Sequence, residues 1–286
     1  GLGAGTCDFG GIARRFGNGR APLWLPCQHF SLNLLPCRFA RSIGRCFGRW
    51  RRHGTGRGFG RHRRQQLLAE RGRLIAGQPE AVHGMLESAR PAAEELYELI
   101  LARLAQTAGY QVGAQEVRRP DGVTVTLDPV APLRTLGLLV QEDLCLMEKA
   151  EGAGDEHVLT GAILCFPASW SLQEKLGRPL IGIHRPVPDY ETEIARRVQR
   201  LFDAIRPEQP LWRMNSLVYR DPSLHQPRRE ADPRIDRRGG SFVRAERQTL
   251  IRLPKTRAVV FAIHTYVVDI ASLTAEELAG LEVARL

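Results

Sequence analysis

Charged side chains lie within a segment whose pattern is otherwise that of a β-strand. In residues 241–253, alternation places Arg244, Glu246 and Gln248 on one face and Arg247 on the other. A carboxylate beside guanidinium groups can serve as the counter-charge for a bound cation, which predicts a pocket wall with Glu246 at its centre. Three polar residues on one strand face are also typical of a solvated surface, and the pattern alone leaves both interpretations open.

A histidine ends an apolar run at residues 180–184 and is followed by two prolines. The prolines, Pro186 and Pro188, restrict the backbone, so the imidazole of His184 is held in one direction, as a metal ligand requires. A single histidine is more often a hydrogen-bonded structural residue, so this pattern does not decide its role. Three other histidines are weaker candidates: His157, His225 and His264.

The net positive charge of the chain is confined to its N-terminal 64 residues. The formal net charge is +10, but residues 1–64 contain 13 Arg, no Lys and one acid, Asp8, so residues 65–286 carry 28 basic and 30 acidic side chains. A basic chain suggests nucleic acid as a partner, but the body from residue 65 is slightly acidic, which argues against nucleic acid. Residues 1–64 lack apolar periodicity, and three interpretations stay open: a disordered tail, out-of-frame coding sequence, or an Arg/Gly tract that binds RNA.

Cysteine spacing and hydropathy indicate the cellular compartment. No two cysteines have C-x-x-C spacing, and Cys145 and Cys165 lie in apolar runs, which predicts small buried core residues. The moderately apolar residues 21–36 are too short and too interrupted for a transmembrane helix and lack the features of a secretory signal. We therefore expect a cytoplasmic protein with reduced thiols and no membrane partner.

Residues 65–286 predict a single α+β domain with a mainly antiparallel sheet flanked by helices, since strands and helices mix without a βαβ rhythm. Predicted helices cover residues 65–78, about 91–109, 132–140, 171–176, a segment capped by Asp189, and 274–281. Predicted strands cover residues 123–127, 143–147, 157–166, 179–184 and 211–219, and a hairpin of 242–253 with 258–268.

No standard catalytic motif occurs, but five segments in a fixed order carry a family resemblance. They are residues 140–148, 159–167, 170–177, 183–188 and 244–254. Together, over about residues 67–270, they resemble the haem-dependent oxidative N-demethylase family, which is related to the α-subunit of dimethylamine demethylase. The resemblance implies a PAS-like domain with haem b, O2 as oxidant, and electrons that reach it from NADPH through a flavin/2Fe–2S reductase partner.

The resemblance also changes how the candidate residues are interpreted. It implies that His184 is the axial ligand of the haem iron, because the family has a His-x-Pro-x-Pro segment here. We expect Glu246 and Arg213 to act on a small secondary amine, a cation at neutral pH, with Arg244 and Arg247 binding the cofactor. The alternatives are a non-catalytic haem-binding PAS-like sensor or subunit, and a nucleic-acid binder that uses the arginine tail.

Overall fold

The architecture is built on one long antiparallel hairpin. The computed structural model describes residues 25–26, 57–149, 156–185, 192–233, 237–275 and 277–278. The hairpin lies in a seven-stranded antiparallel sheet. In spatial order its strands are β1 (Leu25–Pro26), β8 (Leu211–Tyr219), β9 (Phe242–Arg252), β10 (Val259–Asp269), β6 (Asp143–Glu148), β7 (Val158–Ile163) and β2 (His83–Met85).

Helices cover both faces of this sheet. They are α1 (Arg57–Gly77), α2 (Pro79–Val82), α3 (Arg90–Ala105), α4 (Pro132–Leu139), α5 (Leu172–Lys175), α6 (Leu180–His184) and α7 (Thr192–Ala204), with 3-10 turns at Glu87–Ala89 and Ile270–Ser272. A small sheet contains β3 (Gln111–Val112), β4 (Glu116–Arg118) and β5 (Thr124–Thr126). The predicted α+β class with a mainly antiparallel sheet is confirmed, whereas the PAS-like resemblance stays a prediction.

Alternation along the central strands divides the core in two. Leu144 and Leu146 of β6 pack with α1, α3 and α4 on one face, and Cys145 and Met147 pack with α5, α6 and α7 on the other. Every residue of β7 is buried, as expected of a strand that is covered on both faces. The predicted burial of the two cysteines is also confirmed, at 1% and 0% exposure for Cys145 and Cys165.

A buried ion pair ties α1 to the sheet. Arg71 Nη1 lies 2.6 Å from Asp143 Oδ1, and neither side chain is more than 1% exposed. Asp143 also accepts hydrogen bonds from the backbone N–H groups of Cys165 and Phe166, at 2.7 and 2.9 Å. One carboxylate therefore fixes where the chain leaves β7.

The strand predicted over residues 179–184 is wrong, since residues 180–184 form helix α6. Pro179 makes only an isolated bridge to Val158, after which Ile183 N–H donates to Pro179 O at 2.9 Å and closes a helical turn. A short apolar run does not distinguish a buried strand from a helical turn by periodicity. The other strand and helix predictions up to residue 268 agree in type with the described residues; their ends agree within about four residues, except that α1 begins eight residues before the predicted start at residue 65.

Some predictions concern the chain ends. Of residues 1–64, the structure describes 25–26, which pair with Trp212 and Leu211, and 57–64, which begin α1. The boundary at residue 65 thus falls inside a helix, and the remaining predictions for the tail lie outside the described residues. The Asp189 cap and most of the helix predicted over 274–281 lie outside them as well. Among the described helices, none has the length and apolar character needed to cross a membrane.

Candidate active site

A cavity of about 730 Å³ lies between the sheet and the helices α5, α6 and α7. Its floor comes from β8, β9 and β10, and its rim comes from residues 168–170 and from the loop that contains Arg228 and Arg237. Met147, Leu159, Phe202 and Phe261 are among the apolar residues that line it. Its volume and its mixed apolar and polar lining are typical of sites that bind a small molecule or a cofactor.

A row of polar side chains crosses the floor of this cavity. Arg213 Nε donates to Gln248 Oε1 at 2.7 Å, and Gln248 Nε2 donates to Glu246 Oε2 at 3.1 Å. Arg244 Nε lies 3.4 Å from the other carboxylate oxygen, Glu246 Oε1. Burial lowers the pKa of Arg213, and the charge of Glu246 opposes that shift. The predicted polar face of β9 therefore lines a cavity, with one carboxylate between two arginines.

Arg244 also holds the walls of the cavity together. Its side chain is 1% exposed, and its Nη1 and Nη2 donate to Leu224 O and Phe166 O at 2.9 and 2.7 Å. The guanidinium thus connects the strand floor to two loop segments. Its position beside Glu246 agrees with the sequence-based expectation, but its hydrogen bonds show that it orders the protein's own backbone.

Arg247 lies on the opposite face of the sheet, as alternation requires. Its Nη2 is 3.7 Å from Glu142 Oε1, and His264 Nδ1 is 3.4 Å from the same oxygen. Burial acts to raise the pKa of Glu142, but the contact with His264 and the charge of Arg247 outweigh it and hold this pKa at about 2. The structure does not bring Arg247 to the cavity with the other predicted site residues, so we leave it out of the candidate site.

His184 reaches the cavity from the C-terminal end of α6. Its Nδ1 donates to Leu180 O at 2.9 Å, and because a carbonyl only accepts, the proton lies on Nδ1 and the lone pair on Nε2. Burial lowers the pKa of the imidazole and Arg213 lowers it further, although the bond to Leu180 opposes them. A neutral imidazole whose second nitrogen is anchored to a backbone carbonyl is the form that binds iron in haem proteins.

The helix that carries His184 is held by a buried lysine. Lys175 Nζ donates to Ile183 O at 2.7 Å and to Glu230 Oε1 at 2.6 Å, and its side chain is 4% exposed. Sequence reasoning did not identify Lys175, because its partners are distant in the sequence or depend on α6 being a helix. Its two contacts fix the last turn of α6 and therefore the position of the imidazole.

The other candidate histidines are placed elsewhere. His225 Nδ1 bonds to Cys165 O at 2.8 Å, His157 Nδ1 lies 2.7 Å from Gln199 Nε2, and His264 is beside Glu142 across the sheet. Among the described residues that line the cavity, His184 is the histidine. Of the four candidate histidines, the structure therefore brings His184 to the cavity.

The donor set of the cavity fits a haem. Among the described residues there is no group of three or more His, Cys, Asp or Glu that could hold a bare metal ion. A haem brings four nitrogen ligands of its own, so the protein needs to provide only one or two, and His184 is suited to be one of them. Apolar walls suit the macrocycle, and the guanidinium groups suit its two carboxylates.

A comparison with known families agrees with this fit. The family described as haem-dependent oxidative N-demethylase, alpha subunit-like, matches residues 63–286. The match includes the strands and helices that build the cavity and all of the candidate residues within it.

Proposed function

Since this chain belongs to the haem-dependent oxidative N-demethylase, alpha subunit-like, family, we propose that it oxidatively removes a methyl group from a small secondary amine. The observation that carries this proposal is the cavity in which His184 and Glu246 both have a side chain. A ligand for the haem iron and a counter-charge for a cation are the two groups that this reaction requires of the protein.

In this proposal His184 would hold the iron of haem b through its Nε2. The bound haem supplies the redox chemistry, with O2 as oxidant and with electrons that come from NADPH through a flavin/2Fe–2S reductase partner. The protein contributes the direction of the imidazole, which the Leu180 carbonyl and the Lys175 contact to Ile183 determine.

Glu246 then binds the amine. A secondary ammonium group has two N–H donors, and a carboxylate has about four acceptor positions, of which Arg244 and Gln248 occupy one on each oxygen. Each Glu246 oxygen therefore keeps acceptor capacity for a substrate N–H. Arg213 holds Gln248, which in turn holds Glu246, so the carboxylate is preorganised and the methyl carbon is oriented by the N–H contacts.

Haem binding by His184 is tested with the His184→Ala variant. We expect it to lose most bound haem and the Soret band, because the protein's ligand to the iron is removed. His225→Ala is the matched control, since His225 lies outside the cavity lining and should leave haem content unchanged. An unchanged absorption spectrum in His184→Ala would move the ligand to another residue.

Amine binding by Glu246 is tested with Glu246→Gln at matched haem content. This variant keeps the shape of the side chain and removes its charge, so amine-dependent O2 consumption should fall by ~10²-fold or more, the scale of losing one preorganised electrostatic group. Glu116→Gln, at an exposed position of β4, is the control. Equal rates would refute the assignment, and a Soret band without amine-dependent turnover in the wild type would identify a non-catalytic haem protein.

A further inference from the structure

The cavity has more positive than negative side chains. Five cationic and three carboxylate side chains line it, an excess of two positive charges: Lys175, Arg213, Arg228, Arg237 and Arg244 against Glu174, Glu230 and Glu246. Glu230 is already paired with Lys175 and Arg178, at 2.6 and 2.9 Å. A cavity with this excess repels a cationic substrate unless an anionic group also occupies it.

Arg237 is the cation of this set with an unsatisfied donor. Its Nη2 donates to Ser169 Oγ at 3.1 Å and to Tyr219 Oη at 3.0 Å, and its Cζ lies 4.6 Å from the centroid of the Tyr219 ring. Its Nε is buried and has no hydrogen-bond partner in the part of the chain that the structure describes. Water does not reach Nε, so a ligand oxygen cannot reach it either; the donors left for a ligand are those of Nη1, for which the described residues provide no acceptor.

The surroundings hold the guanidinium of Arg237 in place. Ser169, which accepts one of its hydrogen bonds, has a positive φ of 66°, and its backbone N–H donates to Gln226 O at 3.0 Å. A non-glycine residue with this backbone is strained and persists only where its contacts enforce it. Tyr219 is 1% exposed and cannot move away. The plane of the guanidinium is therefore set before any ligand binds.

We propose that Arg237 binds a carboxylate in this cavity, and that this carboxylate is a propionate of the haem; the inference rests on the proposed function. A guanidinium binds a carboxylate through charge-assisted hydrogen bonds, which Nη1 can donate here. In ferrous haem, whose iron charge is balanced by the porphyrin nitrogens, the two propionates equal the excess of two positive charges, and their binding leaves Glu246 as the counter-charge for the amine. A carboxylate on the substrate is the other source of the same chemistry, and the experiment separates the two.

The test is an equilibrium titration of the haem-free protein, followed by the Soret band, with haem and with haem dimethyl ester. Arg237→Met should weaken haem binding about tenfold or more, the effect of losing one charge-assisted contact, and should leave the affinity for the ester unchanged. Arg229→Met is the matched control, because Arg229 lies in the same loop, is exposed and does not line the cavity. It should bind both porphyrins as the wild type does.

Other results would overturn the inference. Equal haem affinity in Arg237→Met and the wild type would show that no propionate binds there, and an equal loss for haem and its ester would show that Arg237 only supports the fold. In Arg237→Met, an unchanged haem affinity together with a spectrum that N-methylglycine perturbs less than dimethylamine does would assign the carboxylate to the substrate. Failure of the wild type to bind either porphyrin would instead refute the proposed function.

Discussion

Removal of the Asp143 charge should destabilise the protein more than removal of its partner, Arg71. In Asp143→Asn, Arg71 keeps its charge in a site with 0% exposure, and a guanidinium cannot be neutralised by deprotonation. Breaking a buried pair in this way costs about 3–5 kcal/mol. The new amide also places an NH2 group against one of the backbone N–H donors of Cys165 and Phe166.

Arg71→Met should be the milder change. Asp143 then keeps its two backbone donors, while the methionine fills much of the volume of the arginine. The lost hydrogen bond between the two charged groups is worth about 1.5–3 kcal/mol, and the bonds that Arg71 donates to Gly137 O and Gln141 O are lost as well. In the double variant, the coupling between the two sites should be about 1–3 kcal/mol.

Urea denaturation at neutral pH measures these differences through the midpoint, provided that the slope m stays constant. Arg73→Met is the matched control on the same helix, because Arg73 forms an exposed pair with Glu70 and should change stability by less than about 1 kcal/mol. If Arg71→Met destabilises the protein as much as Asp143→Asn, or if the two changes are additive, the reasoning about the buried pair is wrong.

Three further predictions concern other buried charges. The pKa of Glu142 in the folded state, about 2, lies below its usual value of 4.5. Its ionised form therefore stabilises the protein above pH 4.5, and this stabilisation is lost as the pH falls towards 2. The melting temperature of Glu142→Gln should lack this part of the pH dependence. Arg252 donates to the carbonyls of Phe202 and Ile205 at the end of α7. Arg252→Met should lower the free energy of unfolding by about 2–4 kcal/mol, since these carbonyls lose their partner. A loss below about 1 kcal/mol would show that water replaces the guanidinium. Lys175→Met should shift the Soret maximum or broaden the spectrum of the bound haem by releasing the last turn of α6, whereas Arg178→Met, at the exposed side of the same ion pair, should not.

The features that local periodicity specifies could be predicted from the sequence. Alternation over residues 242–252 identified β9, its face with Arg244, Glu246 and Gln248, and its pairing with β10 through a short turn. These predictions succeed because a strand's side-chain directions have a fixed period of two, whatever surrounds it. The same rule places Arg247 on the other face, where it lies beside Glu142 and not in the lining of the cavity.

Features that depend on long-range contacts could not be predicted. Arg237 and Ser169 meet at the rim although neither lies in a periodic segment, and Lys175 becomes important only because α6 is a helix. For α6, four apolar residues gave no period, and the conformation is decided by the hydrogen bond from Ile183 N–H to Pro179 O and by the isolated bridge between Pro179 and Val158. Side chains in irregular loops have directions set by tertiary contacts, which a single sequence does not display.

The two charged clusters on opposite faces of β9 also constrain how the strand is paired. If β9 were shifted by one residue against β8 and β10, every side chain would exchange faces. Glu246 would then approach Glu142, and Arg247 would enter the cavity beside Arg213, so that like charges would be buried together on both sides of the sheet. The alternation of acid and base along this strand therefore penalises misregistered sheets during folding, and a substitution that reverses one of these charges would lower the fidelity of folding as well as the function of the cavity.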